Sequence, residues 1–592
     1  MHISSYEGGL LVRVILLVLA CNVYCLAQES MQPSPWPATD ALGRALPTPQ
    51  EAGPPKAGRF VGIFYFLWHD HPGPRHAAPA DGPRDISKIL RQDPDALSHP
   101  NSPLWGAVGE PHYWGEPLYG YYLSTDPWVL RRHAQLLTAA GIDTLIFDTT
   151  NAVTYPEVYH QLCKVFTEIR HEGGRTPQIA FMVNTQAGRT ARKIFDDLYK
   201  PGKYRELWFI WDGKPLMICD PKEADPELKQ FFTLRAAHWP FKLVNTPYAW
   251  HWETAYPQVY GYTDDPKRPE EVNVSVAQNL RAIDGRVTNM SNGDARGRSF
   301  HDGREDRSPG AVNWGYNFAE QWKRALALDP PFVMVTGWNE WIAGRFGGAK
   351  GPVVFVDQFS EEFSRDIEPM KGGHGDNYYY QLVANVRRFK GVKPLPAASA
   401  PLAIHMDGAF DQWRNVQPEY RDDVGDTLFR DYDGAGGLHY TNHTGRNDLV
   451  AMKVARDAEH VYFYARTRQP ISPPTDRGWM WLMISTGRAS QPAWEGFDHI
   501  INRTIDPDGT AWLERCEGGW RWKKVTRVQY RVDGNELQLS IPRSAIGLPS
   551  GTAASFNFKW ADNLQHPGDV MDFYVSGDVA PEGRFAFRYV GK

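Results

Sequence analysis

Cysteine is scarce in this chain, with five in 592 residues. Two of them fall in an N-terminal stretch that reads as an export signal, which leaves Cys163, Cys219 and Cys516, far apart in sequence. A disulfide scaffold is thereby excluded, and apolar cores must hold the fold. No apolar run approaches the roughly 18 residues that a membrane-spanning helix needs. Neither sign of charge dominates. A net charge of −5 and a pI near 6.4 exclude the basic surface of a nucleic-acid or membrane-surface binder. Histidines at 69, 251 and 301 sit in no HExxH or comparable ligand spacing, so no catalytic metal is expected. No glycine fingerprint for a dinucleotide follows the first strand, and Gly344–Gly351 lacks the GK[ST] ending of a phosphate loop. There is no GxSxG elbow for a serine esterase. The expectation is a protein without a cofactor or nucleic-acid partner; its oligomeric state is not written in the sequence.

Aromatic residues are abundant instead: 22 Trp, 27 Tyr and 28 Phe. Many stand beside polar residues in loop-like stretches, as in His112-Tyr113-Trp114 and Tyr248-Ala249-Trp250-His251-Trp252, which favours a surface built to stack on flat ligands. At the N-terminus, Arg13 precedes an apolar run from Val14 to Ala20, and Cys25-Leu26-Ala27 offers a small-residue cleavage site. Residues 1–27 are therefore expected to be a signal peptide. Val18-Leu19-Ala20-Cys21 is the alternative, an imperfect lipoprotein box, and either way the protein is exported to periplasm, cell surface or medium. Residues 28–57, rich in Pro and Ala, read as a tether. A second break at 391–401 separates a unit at 58–390 from one at 402–592.

The first unit alternates strands with amphipathic helices. Strands are expected at Phe60–Phe66, Thr144–Phe147, Ile179–Val183, Leu216–Cys219, Leu243–Asn245, Val272–Val276 and Phe332–Thr336. Asp126-Pro127 starts a helix as cap and first-turn proline, and Gly141 ends it. Short apolar strands between helices imply a parallel sheet covered on both faces, here a (β/α)8 barrel, with an open doubly wound sheet as the lesser option. From about residue 402 the pattern changes to short alternating runs, such as His460–Ala465 and Glu536–Ile541, between Gly, Pro and Asp turns. That predicts an antiparallel β-sandwich.

The segment Phe332–Thr336, then Gly337-Trp338-Asn339-Glu340-Trp341, carries the sharpest chemical signal. A carboxylate between two indoles at the end of a buried strand is costly to place, and the C-terminal ends of barrel strands are where catalytic groups sit. Indoles stack on the C–H faces of a sugar while an acid works on the glycosidic oxygen. Other strand ends contribute Trp68-His69-Asp70, Asp148, Asn184, and the group Tyr248, Trp250, His251, Trp252 and Glu253. Glycoside hydrolysis usually needs two carboxyl groups. Glu340 is the first; Asp148 and Glu253 are candidates for the second, with Asp302 behind them. Trp68, His69, Asn184, Tyr248, Trp250, His251, Trp252, Trp338, Asn339 and Trp341 are the expected substrate-binding set.

These motifs resemble family-99 glycoside hydrolases and the related WbsX-like proteins. Gly62–Trp68 looks like their opening strand. Pro117–Asp126 with His133 and Ala140–Asp143 resembles the stretch into the second, Asn339-Glu340-Trp341 the start of Asn-Glu-Trp-x-Glu-Gly, and Ile367-Glu368-Pro369 a later motif. The resemblance implies a (β/α)8 barrel that hydrolyses a carbohydrate, with Glu340 acting near the sugar 2-hydroxyl. The family's second glutamate is replaced here by Ala343, so its acid/base is not carried over, nor are retention and mannoside specificity. The second unit resembles family-9-like carbohydrate-binding modules through Asp407-Gly408, Asp411, Trp413, Trp494–Asp498 and Asn502-Arg503. Such modules often carry structural calcium, but Trp481–Ser485 lacks the acids usual in that strand. The functional expectation is an exported glycoside hydrolase. Its rivals are a non-catalytic glycan-binding surface protein and, behind that, a glycosyltransferase.

Overall fold

The computed structural model describes residues 28–69, 82–239, 246–347, 351–474, 478–488 and 491–591. The expected signal peptide, Asp70 and the strand expected at Leu243–Asn245 lie outside the described residues. Eight parallel strands form the first unit: β1 Phe60–Tyr65, β2 Thr144–Asp148, β3 Gln178–Met182, β4 Lys214–Ile218, β5 Thr233–His238, β6 Ala249–His251, β7 Glu271–Ser275 and β8 Phe332–Thr336. They pair in the order β7-β8-β1-β2-β3-β4-β5-β6, a nearly closed barrel. Side chains bridge the seam between β6 and β7. The His251 backbone N–H donates to Glu271 Oε2 at 3.0 Å, and Thr254 Oγ1 donates to Asn273 Oδ1 at 2.8 Å.

Alternation along the strands sorts the core into two layers. Phe60, Phe64, Ile146, Ala180, Met182, Leu216, Ile218, Phe332 and Met334 fill the barrel interior. Val61, Ile63, Leu145, Phe147, Phe181, Val333 and Val335 face outward to the helices. The interior is tight at its base: a Cβ on Gly62 would stand 2.6 Å from Cζ of Phe332.

Besides a seven-residue helix at Ile86–Gln92, six described helices of six residues or more follow the strands: α1 Pro127–Ala140, α2 Pro156–His171, α3 Ala187–Ile194, α4 Pro226–Phe231, α5 Tyr316–Leu328 and α6 Asn377–Lys390. Helix α1 starts and stops as the sequence predicts. Asp126 accepts from the N–H groups of Trp128 and Val129, and Gly141 takes the left-handed conformation. Among the described residues no helix follows β5 or β6. The flank of β5 instead borders a cavity of about 990 Å³, with Asp212, Lys214, Arg235 and His238 in its wall. No described helix is long and apolar enough to cross a membrane, and Cys163, Cys219 and Cys516 are buried free thiols.

The second unit is antiparallel, as its alternating runs predict. Its main strands are β9 Leu449–Arg456, β10 His460–Thr467, β11 Trp481–Ser485, β12 His499–Ile505, β13 Ala511–Cys516, β14 Trp522–Asp533, β15 Glu536–Pro542 and β16 Ala554–Asp562. They run β9-β10-β15-β14-β13-β12-β11-β16. The long β14 pairs with β13 through its first half and with β15 through its second, which folds the sheet over a core of Met452, Phe463, Leu482, Leu539, Phe556, Phe558 and Trp560. Residues 391–401 between the units have no regular structure.

Residues 28–57 are not a free tether, and that expectation is corrected. Trp36 packs against both cores, its ring 5.5 Å from Tyr420 and 5.1 Å from Phe587 of the sandwich. Arg387 donates to the carbonyls of Pro47 at 2.9 Å and Trp36 at 2.7 Å, and Lys390 Nζ donates to Met31 O at 2.7 Å. Proline lacks an N–H, so a proline-rich strap presents more acceptors than donors. Two cations of α6 supply the missing donors.

Candidate active site

The mouth of the barrel gathers acids from two strand ends and one loop around a single guanidinium. Glu340, 4% exposed, leaves the end of β8. The stretch after it is held as a short strand: Ile342–Gly344 pairs antiparallel with Pro111–Tyr113, and the Trp114 N–H donates to Trp341 O at 3.1 Å. Arg365 is fully buried. Its Nη2 donates to Glu340 Oε2 at 2.8 Å and stands 3.9 Å from Asp357 Oδ1, while its Nη1 stands 3.7 Å from Glu253 Oε2. Its guanidinium lies 4.6 Å from the ring centroid of Trp252. The backbone fixes the arginine against the strand exit, since the Gly337 N–H donates to Arg365 O at 3.3 Å. Because Nη2 serves both Glu340 Oε2 and Asp357 Oδ1, those oxygens lie within about 6.7 Å of one another, the two spokes being 2.8 and 3.9 Å.

Three carboxylates around one arginine cannot all ionise without cost. Burial pushes the Glu340 carboxyl well above the usual range, against the pull of Arg365, and the nearby charges of Asp357 and Asp366 add to the rise. Burial likewise raises Glu253 to about 7, with Arg365 opposing. Asp366 reaches about 7 through burial, opposed by Arg298 and by the Trp114 indole N–H that donates to it at 2.5 Å. Burial raises Asp357 too, with Arg365 opposing, but its side chain keeps 47% exposure. The cluster thus pairs a buried carboxyl raised well above the usual range with a half-buried one that reaches solvent.

The expected site residues divide into three groups. Glu340, Glu253 and Trp252 meet at Arg365, as described. Asp148 reaches the same electrostatic neighbourhood: burial raises it and the charge of Asp357 raises it further, while Trp68 and Thr150 hydrogen-bond it. Its Oδ1 accepts from the Thr150 N–H at 3.0 Å and hydroxyl at 2.7 Å, the loop-holding role open to any strand-end aspartate. Trp68 is half-buried beside it.

A second group forms the scaffold beneath. Asn339 accepts from the Phe66 N–H at 2.9 Å, and its own carbonyl meets His69 Nε2 at 2.6 Å. Burial lowers His69 to about 4, so this imidazole is neutral. The Trp341 indole N–H donates to Glu368 at 2.5 Å and its ring stacks on Trp114 at 4.8 Å. Trp338 is fully buried against His133. Glu368 also meets His133 Nε2 and the Tyr122 hydroxyl, each at 2.8 Å, and His133 Nδ1 meets the Tyr65 hydroxyl at 2.8 Å.

The third group stands apart from Arg365. Trp250 is fully buried at the barrel base, its ring 4.5 Å from Phe332 and its N–H donating to Glu270. His251 points the other way from its strand, into the seam beside Glu271. Asn184 and Tyr248 border the cavity on the flank of β5, where the Tyr248 hydroxyl donates to Asp264. Of Trp250, His251 and Trp252, strand alternation and depth bring only Trp252 to the mouth.

Arg365 and Asp357 were not in the expected set. Arg365 lies two residues before Ile367-Glu368-Pro369, a matched motif, and Asp357 ends the apolar run Val353-Val-Phe-Val356. An acid ending a short apolar run is the pattern that drew attention to Asp148. Ala343, where the resembled family has its second glutamate, is buried in an apolar cluster with Phe355, two residues before Asp357.

The fold and mouth define a parallel barrel with an acid cluster at its C-terminal end, followed by a β-sandwich. No protein-family model matches the chain, and no curated protein does. Among solved structures it is similar to the GH99 endo-alpha-mannosidase from Bacteroides thetaiotaomicron, in one structure of that enzyme and in another in complex with Bis-Tris-propane. Identity is 14% in both, over 56% of this chain and 97% of theirs, with TM-scores of 0.34 and 0.32. A likeness of that degree assigns no role to any residue here.

Proposed function

We propose that this chain is an exported glycoside hydrolase whose reaction uses Glu340 and Asp357. The observation that carries the reading is the unequal pair: Glu340 buried and raised well above the usual carboxylate range, Asp357 raised too but with 47% of its side chain exposed, their oxygens within about 6.7 Å through Arg365 (spokes of 2.8 and 3.9 Å). Acid and base roles separate where environments push two carboxyl groups apart, and such pairs flank a scissile glycosidic bond roughly 5 to 9.5 Å apart. The protonated carboxyl gives its proton to the leaving oxygen as the C–O bond breaks. The ionised one takes the proton of the attacking water, or attacks the anomeric carbon itself. Trp68, half-buried, supplies an apolar face for the sugar beside these acids. Asp148 and Glu253, the partners expected from sequence, tune the pair's charge.

A specific observation favours a second reading, non-catalytic glycan binding: Glu340 is only 4% exposed and already paired with Arg365. The test is release of new reducing ends from a panel of defined oligo- and polysaccharides by wild type, Glu340→Gln and Asp357→Asn. The hydrolase reading expects cleavage by wild type and a loss of about 10²- to 10⁴-fold in each variant, both folded. Glycan retention without cleavage across the panel would establish the binding protein instead.

A further inference from the structure

A second acidic cluster lies far from the mouth in sequence, where the sandwich meets helix α1. Asp422, Asp426 and Asp578 each bring a carboxylate oxygen within 4.8 Å of the others. Asp426 and Asp578 are each 2% exposed. Asp422 Oδ2, Asp426 Oδ1 and Asp578 Oδ1 are buried and accept no hydrogen bond. Their neighbours fix the orientation: Gln135 of α1 donates to Asp426 Oδ2 at 2.9 Å, and the Leu449 N–H donates to Asp578 Oδ2 at 2.6 Å.

Asp448, outside that trio and 5% exposed, repeats the arrangement. The Gly425 N–H occupies its Oδ2 at 2.8 Å while its Oδ1 accepts nothing, and its charge acts on Asp578 as that of Asp426 acts on it. A buried carboxylate oxygen without a donor costs free energy, and the trio of Asp422, Asp426 and Asp578 in one place calls for a common partner.

The cations near the trio are engaged elsewhere, and Arg468 Nη1 stands 3.8 Å from Asp448 Oδ2. Arg132 reaches Asp426 only at 3.9 Å and is engaged with Glu582 at 2.9 Å. Lys559 Nζ donates to the carbonyls of Pro581 and Phe585. Asp422 and Asp423 border a cavity of about 660 Å³ whose wall also carries Glu172, Arg175, Arg421, Arg466 and Arg468.

We propose that Asp422, Asp426 and Asp578 bind a calcium-sized divalent cation at the seam between barrel and sandwich. An all-oxygen, carboxylate-rich donor set on a loop suits Ca²⁺, which accepts six to eight oxygens in flexible geometry. It does not suit zinc, which favours nitrogen and sulfur. The place is not the strand Trp481–Ser485, where the sandwich resemblance would put calcium. It depends on the barrel, since Gln135 orients one of the ligands.

The competing account is neutralisation by protons, since burial raises Asp422 and Asp578 well above the usual carboxylate range and Asp448 to about 7. The experiment separates them. The full-length mature protein is stripped with EDTA, passed into metal-free buffer, and assayed for bound metal and thermal unfolding with calcium, magnesium or neither. The metal account expects one calcium retained per chain after reloading. It also expects a rise in Tm on the order of 5 °C with millimolar calcium, lost in Asp426→Asn. Asp422→Asn, at a half-buried position, repeats the comparison should Asp426→Asn not fold. If the wild type retains no stoichiometric calcium, or if calcium moves the Tm of wild type and Asp422→Asn alike, the proposal is overturned.

Discussion

Burial, opposed by Arg365, sets the charge state of the acids around that arginine. Glu253 has its usual value near 4.5 when unfolded and about 7 in the folded chain, because burial outweighs the pull of that arginine. The folded state keeps a proton that the unfolded state releases, so this contribution to stability is complete below about pH 4.5 and is lost as pH rises through 7. Glu253→Gln cannot ionise. It is expected to match wild type near pH 4.5 and to be more stable by about 1–3 kcal/mol at pH 8, as read from urea unfolding at the two pH values. Greater stability of wild type at pH 8 would mean that Arg365 holds Glu253 as an anion. Glu340 was legible in sequence because a carboxylate between indoles at a strand end is conspicuous locally. Arg365 was not, because its meaning arises from carboxylates 25 and 112 residues away in the chain. The chain order of acids does not reveal which of them share a cation.

The strands were legible for a related reason. Alternation is a local property, and Phe60, Phe64, Phe332 and Met334 on one face against Val61, Ile63, Val333 and Val335 on the other follow it directly. Depth is not local, which is why Trp250 and Trp252 read alike in sequence and yet stand at the base and the mouth of the barrel. The same depth makes Gly62 a packing necessity. Gly62→Ala would drive a methyl into the Phe332 ring at 2.6 Å and is expected to cost about 1–3 kcal/mol, measurable by denaturant unfolding. A neutral result would show that the ring can move aside. That no helix follows β5 or β6 among the described residues left no trace in the pattern, because a polar loop without a periodic run reads the same whether or not it covers a strand.

Barrel, strap and sandwich form one body. Trp36 joins the two cores, and ion pairs cross between the units: Arg430 with Asp126 at 2.7 Å, Arg132 with Glu582 at 2.9 Å and Arg584 with Asp376 at 2.6 Å. Calorimetry of the wild type is therefore expected to show a single transition. Trp36→Ala is expected to lower it by about 3–5 kcal/mol or to split it in two; two transitions in the wild type would contradict this coupling. Composition misled the reading of residues 28–57, since proline and alanine describe a free tether and a strap held by buried arginine and lysine equally well. Helix α1 carries a wider consequence. Its apolar face serves the barrel, and its polar face, through Arg132 and Gln135, is buried under the sandwich. Cutting the chain at the proline-rich stretch 391–401 would expose that polar face and leave Asp426 and Glu582 without their partners. Neither half can then be exchanged for an unrelated module without rewriting a surface on the other, so the two units are expected to be inherited together, changing at the seam in matched pairs.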